Sequence, residues 1–113
     1  MATAQFIQDG KSIDYTPGAD VSAGDVVVQG DLVGIAKLDI AANALGALAV
    51  TGVFDLPKAT VGGSAIAAGA TVYWDEGDSV AKTDAEAGAN KLLGKTIAAA
   101  GDDDTTVRVR LSQ

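Results

Sequence analysis

The sequence contains no cysteine and no histidine. The first absence excludes disulfide staples and thiolate nucleophiles. Together they remove the usual zinc ligands and the imidazole that acts as general base in a Ser-His-Asp triad, leaving only a lysine-based dyad for the many Ser and Thr hydroxyls. Aromatics are scarce: Phe6, Tyr15, Phe54, Tyr73 and Trp74 make up 4% of the chain, too few to wall a sugar-hydrolysing cleft. Positive charge is also scarce, with 8 Lys and Arg against 15 Asp and Glu and a net charge of −7. The basic residues are scattered and form no stripe with interleaved aromatics, which excludes nucleic acid as the main ligand. Apolar runs are short and broken by Gly or Asp, so no segment is expected to span a membrane. Met1-Ala2-Thr3-Ala4-Gln5 has neither a basic n-region nor an apolar h-region, so no secretory signal is expected.

What is present is 48% hydrophobic residues and 14 glycines in 113 positions. The mean hydropathy is +0.23, which argues against disorder. The length fits a single domain over residues 1–113, with residues 1–8 as an extended N-terminal arm. Much of the apolar content is Ala. Each Ala in place of Leu gives up about 2 kcal/mol of burial at ~0.8 per carbon, so a thin core of this kind gains from further burial between copies.

The segments read as all-β, a small β-barrel or sandwich with short hairpins and at most one or two short helical turns. Phe6-Ile7-Gln8 and Lys11-Ser12-Ile13-Asp14-Tyr15 flank Asp9-Gly10, a hairpin-turn pair, with Lys11, Ile13 and Tyr15 on one face. Asp25-Val26-Val27-Val28-Gln29, Leu32-Val33-Gly34-Ile35-Ala36, a strand within residues 45–56, Thr71-Val72-Tyr73-Trp74 and residues 91–98 follow. Thr106-Val107-Arg108-Val109-Arg110-Leu111 alternates with period two, one face buried and one wet. Residues 38–44 and 64–68 are each long enough for one helical turn.

The chain also echoes itself. Val21-Ser22-Ala23-Gly24-Asp25-Val26-Val27-Val28 resembles Ile66-Ala67-Ala68-Gly69-Ala70-Thr71-Val72-Tyr73 at an offset of 45, and Leu32-Val33-Gly34 resembles Leu92-Leu93-Gly94 at an offset of 60. The difference places an insertion around residues 76–90 of the second copy. Convergent turn chemistry in an Ala/Gly-rich chain would give the same matches.

Three segments invite a chemical reading. Ala89-Asn90-Lys91-Leu92-Leu93-Gly94-Lys95-Thr96 satisfies a permissive phosphate-loop pattern. Such a loop needs free backbone N–H groups between a strand and a helix, whereas Leu92-Leu93 favours burial and Ile97-Ala98 continues a strand. Asp102-Asp103-Asp104 and Asp75-Glu76-Gly77-Asp78 lack the spacing of a calcium loop and read as solvated turns. Tyr73-Trp74 offers one aromatic to each face of a strand, and either is a candidate stacking group for a sugar or a protein.

Phe6-Ile7-Gln8-Asp9-Gly10, Ala23-Gly24-Asp25-Val26-Val27, Leu32-Val33-Gly34-Ile35-Ala36, Gly52-Val53-Phe54-Asp55-Leu56-Pro57-Lys58, Ala68-Gly69-Ala70-Thr71-Val72-Tyr73-Trp74-Asp75 and the closing Thr106-Val107-Arg108-Val109-Arg110-Leu111 occur in an order and spacing that resembles the small phage capsid cement, or head decoration, proteins. The resemblance implies a β-barrel or sandwich that forms a homotrimer and is made in the host bacterial cytoplasm. On the virion it would clamp the major capsid protein from the outer surface of the expanded head. It implies no catalysis and no cofactor; the residue types and spacing argue for no metal, and the charge balance and short apolar runs for no nucleic acid and no membrane. Two contact segments are expected: the uncharged arm, through Ala2, Thr3, Ala4, Gln5 and Phe6, and the Pro-ended strand, through Phe54, Leu56 and Pro57. The alternative function is a virion- or tail-associated module that binds carbohydrate or the host surface through Tyr73 or Trp74.

Overall fold

The computed structural model describes residues 3–113. Among the described residues nine strands form two antiparallel sheets: β1 (Ser12–Tyr15), β2 (Val26–Gln29), β3 (Leu32–Ala36), β4 (Gly46–Ala49), β5 (Gly52–Pro57), β6 (Thr71–Asp75), β7 (Val80–Lys82), β8 (Lys91–Thr96) and β9 (Thr106–Leu111). The first sheet has the order β1-β4-β3-β2 and the second β5-β9-β8-β6-β7. Both keep open edges, so of the two expected architectures the molecule adopts the sandwich-like one, and no barrel closes among the described residues.

The echo in the sequence has a counterpart in space. The order β1-β4-β3-β2 recurs as β5-β9-β8-β6, with β7 appended. In the first unit Val21 and Ile40 form an isolated bridge with two mutual 2.8 Å bonds, the Gly24 N–H donates to the Ala36 carbonyl at 2.6 Å, and the Ala36 N–H donates to that of Asp25 at 3.0 Å. In the second, Ile66 and Ala100 form the same bridge at 2.8 Å, the Gly69 N–H donates to the Thr96 carbonyl, and the Thr96 N–H donates to that of Ala70, both at 2.9 Å. Gly24 and Gly69 sit at φ 92° and 76°, so each Ala-Gly turn uses its glycine where a side chain would be strained. The inserted residues 76–90 carry β7 and a 3-10 turn, Glu86–Gly88.

Alternation explains the packing. In β9, Val107, Val109 and Leu111 are buried while Thr106, Arg108 and Arg110 are exposed. The main core joins Leu56, Val72, Trp74, Leu93, Val109 and Leu111 of the second sheet to Val33 and Ile35 of the first. A smaller cluster of Ala36, Ile40 and Leu48, flanked by Ile13, Tyr15, Val21 and Val27, covers the other face of the first sheet. Unlike most small sheets, the first is therefore apolar on both sides.

Several expectations are corrected. The hairpin over residues 6–15 does not form: residues 3–9 carry no strand, and β1 pairs with β4 instead. In its place the Gln8 side chain donates one bond to the Ser12 carbonyl at 2.9 Å. Burial decides this, because Ile13 and Tyr15 reach the small cluster only from the edge beside β4. The run at residues 45–56 is two strands, β4 in one sheet and β5 in the other, broken around Thr51. Residues 38–44 and 64–68 are not helical; Ile40 and Ile66 are bridge residues.

Candidate functional site

The Gly-Lys-Thr triplet is strand, not loop. Gly94, Lys95 and Thr96 pair with Leu111, Arg110 and Val109 of β9. Gly94 and Thr96 are buried, and the Thr96 hydroxyl donates to the Ala67 carbonyl at 2.6 Å while accepting from the Ala70 N–H at 3.0 Å. Backbone donors committed to a ladder are not available to wrap a phosphate.

The acidic turns hold their own backbone. Asp102 accepts from the Ala65 N–H and Asp104 from the Gly101 N–H, each at 2.8 Å. Lys58, only 5% exposed, reaches over this turn with an ammonium that donates to the carbonyls of Ala59 (2.6 Å), Asp104 (3.3 Å) and Asp102 (3.4 Å) and to Ser64 Oγ (3.2 Å). Its contacts lie within hydrogen-bonding range of four oxygens, so the buried charge is spent on tying residues 59–65 to residues 101–105.

At the β6–β7 hairpin, Lys82 Nζ donates to Asp75 Oδ2 at 2.7 Å and Asp78 Oδ2 at 2.8 Å. The bond from Lys82, reinforced by the Asp78 N–H, holds the Asp75 carboxyl below its ordinary range, and the same two carboxylates raise Lys82. Arg108 lowers Asp55 through a two-pronged bond at 2.9 and 3.1 Å, and Lys91 lowers Asp31. A carboxylate depressed in the folded state adds stability above its unfolded value near pH 4, and this is lost as pH falls through the folded value. The raised Lys82 adds stability below about pH 10.4 that is lost as pH rises through its folded value. With no histidine to titrate between them, the melting temperature should be level from about pH 5 to 9 and fall below about pH 4. Lys82→Met should soften both shoulders in a calorimetric pH series; a wild-type midpoint near about pH 6 would contradict this reading.

Of the expected contact residues, Ala2 lies outside the described residues. Thr3, Ala4, Gln5 and Phe6 are all exposed in a segment without regular structure, and Phe6 and Ile7, 80% and 76% exposed, put two large apolar side chains side by side in solvent. The second segment is divided by the pleat of β5. Leu56 is 3% exposed in the main core and Phe54 packs against it, so only Pro57 of the three faces outward, beside Val53 and Asp55. The two segments are not brought together. Gly10, at the root of the arm, shares a shallow depression of about 290 Å³ with Gly52 and Arg110, and Pro57 lies at the far end of the same strand. The aromatic pair is also resolved: Trp74 is core and Tyr73 is half-buried on the outward face, which leaves one ring for any stacking role.

The surface thus combines an exposed apolar arm with turns whose carboxylates serve the backbone. A family model described as phage cement protein matches residues 7–111. The chain belongs to the phage cement protein family. No curated protein and no solved structure matches the chain at a significant level. Membership makes this a phage capsid component with a structural role, and its matched span runs through both repeat units from Ile7 to the end of β9. Phe6 lies just outside that span. Sequence reading missed the outward residues Val53, Lys95 and Arg110; the period-two pattern of β9 was the available signal, since it already set Arg108 and Arg110 on a wet face.

Proposed function

We propose that this cement protein is a head decoration protein. It binds the outer surface of the expanded capsid, contacts the major capsid protein, and stabilises the shell without catalysis. The observation that carries this reading is the family match over residues 7–111, taken with the uncovered arm that enters it. Residues 1–8 are the first contact, ordering on the shell by strand addition, a mode that suits a segment whose described part, residues 3–8, carries no strand and exposes two large apolar side chains, Phe6 and Ile7. Pro57, at the end of β5, is the second. The domain is one unit over residues 1–113, assembled as a homotrimer, made in the host cytoplasm and added to the head after expansion.

Stabilisation follows from linkage. A ligand that binds only the expanded state favours it by RT ln(1 + [L]/Kd), ~2.7 kcal/mol per site at 100 Kd, multiplied over the many sites of a shell. Adding the purified protein to expanded heads that lack it should raise their disruption temperature in a saturable way, with no effect on unexpanded heads. Equal stabilisation of both states would reject the mechanism.

A further inference from the structure

The outward face of the second sheet carries a row that crosses four strands: Val53 of β5, Arg110 of β9, Lys95 of β8 and Thr71 of β6 are register partners in turn, and all four are exposed. At its centre two cations stand directly opposite each other, an arrangement that costs stability in an antiparallel pair. The other cations of this sheet are neutralised: Lys82 by Asp75 at 2.7 Å, Lys91 by Asp31 and Arg108 by Asp55, both at 2.9 Å. Among the described residues Lys95 and Arg110 have no carboxylate within salt-bridge distance, in a chain where acidic residues outnumber basic ones 15 to 8. Val53 and Ile97, each 51% exposed, border the pair with apolar surface.

Two further observations concern what covers this face. In the repeat, Thr71, Tyr73 and Lys95 are the counterparts of Val26, Val28 and Ile35. Those three residues pack into the main core, so the first unit uses this same face to dock on the second, and the second presents it to solvent. Moreover, Arg110 lines the depression that holds Gly10, so the arm with Phe6 and Ile7 leaves from the border of the row.

We propose that this face lies on the capsid and that the Lys95–Arg110 pair receives carboxylates of the shell surface. The proposal rests on the reading of the protein as a head decoration protein. Charge complementarity selects an acidic partner, and continuity with the arm, which orders on the shell in the proposed function, selects the shell over a second copy.

The test uses Lys95→Glu. In the free protein this change replaces a cross-strand repulsion by an attraction to Arg110, and the melting temperature should rise by about 2–5 °C. Affinity for purified expanded heads lacking the protein should instead fall by about tenfold or more, and wild-type affinity should weaken between about 50 and 500 mM salt. Arg110→Gln should weaken binding while leaving the fold intact. Wild-type binding that is insensitive to salt and unchanged in both variants overturns the proposal but leaves the head-decoration reading standing. If the variants change the oligomer size in gel filtration and not head binding, the face belongs to a second copy and the proposal is overturned. Failure of the wild type itself to bind heads overturns the functional reading and this inference together.

Discussion

Gly94→Ala should lower the melting temperature by about 15 °C or more, a loss of about 4 kcal/mol or more against a total stability of about 5–15 kcal/mol for a domain of this kind. Gly94 lies at φ 155° beside a register shift between Val72 and Tyr73, where β8 and β6 slip past each other. A Cβ there would stand 2.0 Å from the Arg110 carbonyl oxygen and 2.7 Å from the Ser112 nitrogen. Both are backbone atoms of β9 or its end, and the Ser112 N–H is already bonded to the Leu93 carbonyl at 2.9 Å. No rotamer change relieves the clash. Either β9 separates from β8 or the bulge is rebuilt, and both disturb Leu93 and Leu111, which are 0% and 2% exposed. The counterpart Gly34→Ala supplies the control. Its Cβ would meet Leu48 Cβ at 2.8 Å and Cδ1 at 3.1 Å, a side chain that can shift in part, so a cost of about 1–3 kcal/mol is expected. Chemical denaturation of the two variants checks the order; equal and small losses would show that the bulge does not constrain β8.

The second large effect concerns binding and leaves folding untouched. Phe6→Asp combined with Ile7→Asp should reduce affinity for expanded heads by two to four decades, because fully burying two such side chains is worth about 1.5–3 kcal/mol each and a buried carboxylate adds its own desolvation cost. Neither side chain belongs to either core cluster, so the melting temperature of the free protein should stay within about 1–2 °C of wild type. Titration of labelled variant onto heads, beside a thermal melt, separates the two outcomes. Unchanged affinity would remove the arm from the contact.

Much of this molecule could be read from residue order. The strands with strict alternation or β-branched runs, β2, β3, β6, β8 and β9, stand within a residue or two of where the sequence places them, because one-sided burial enforces period two. The Ala-Gly turns and mid-strand glycines marked the repeat, because a left-handed turn position and a close backbone approach each leave few choices of residue. What escaped was non-local. Asp9-Gly10 has the chemistry of a hairpin turn, yet β1 finds β4 more than thirty residues away, since only that edge buries Ile13 and Tyr15. Phe54, Leu56 and Pro57 read together as one contact segment, but adjacent residues of a strand face opposite sides, and the pleat of β5 turns Phe54 and Leu56 toward the core and Pro57 outward. The unpaired Lys95 and Arg110 became visible only once register set them opposite one another.

The central claim is that the protein acts by attachment to the outside of the shell. Cryo-electron microscopy of expanded heads with and without added protein tests it most directly. The account predicts extra density at regular sites on the outer surface, with the arm running into the shell and the β5–β9–β8 face against it. Saturating protein that leaves the outer surface bare, or density confined to the interior or the tail, would contradict it.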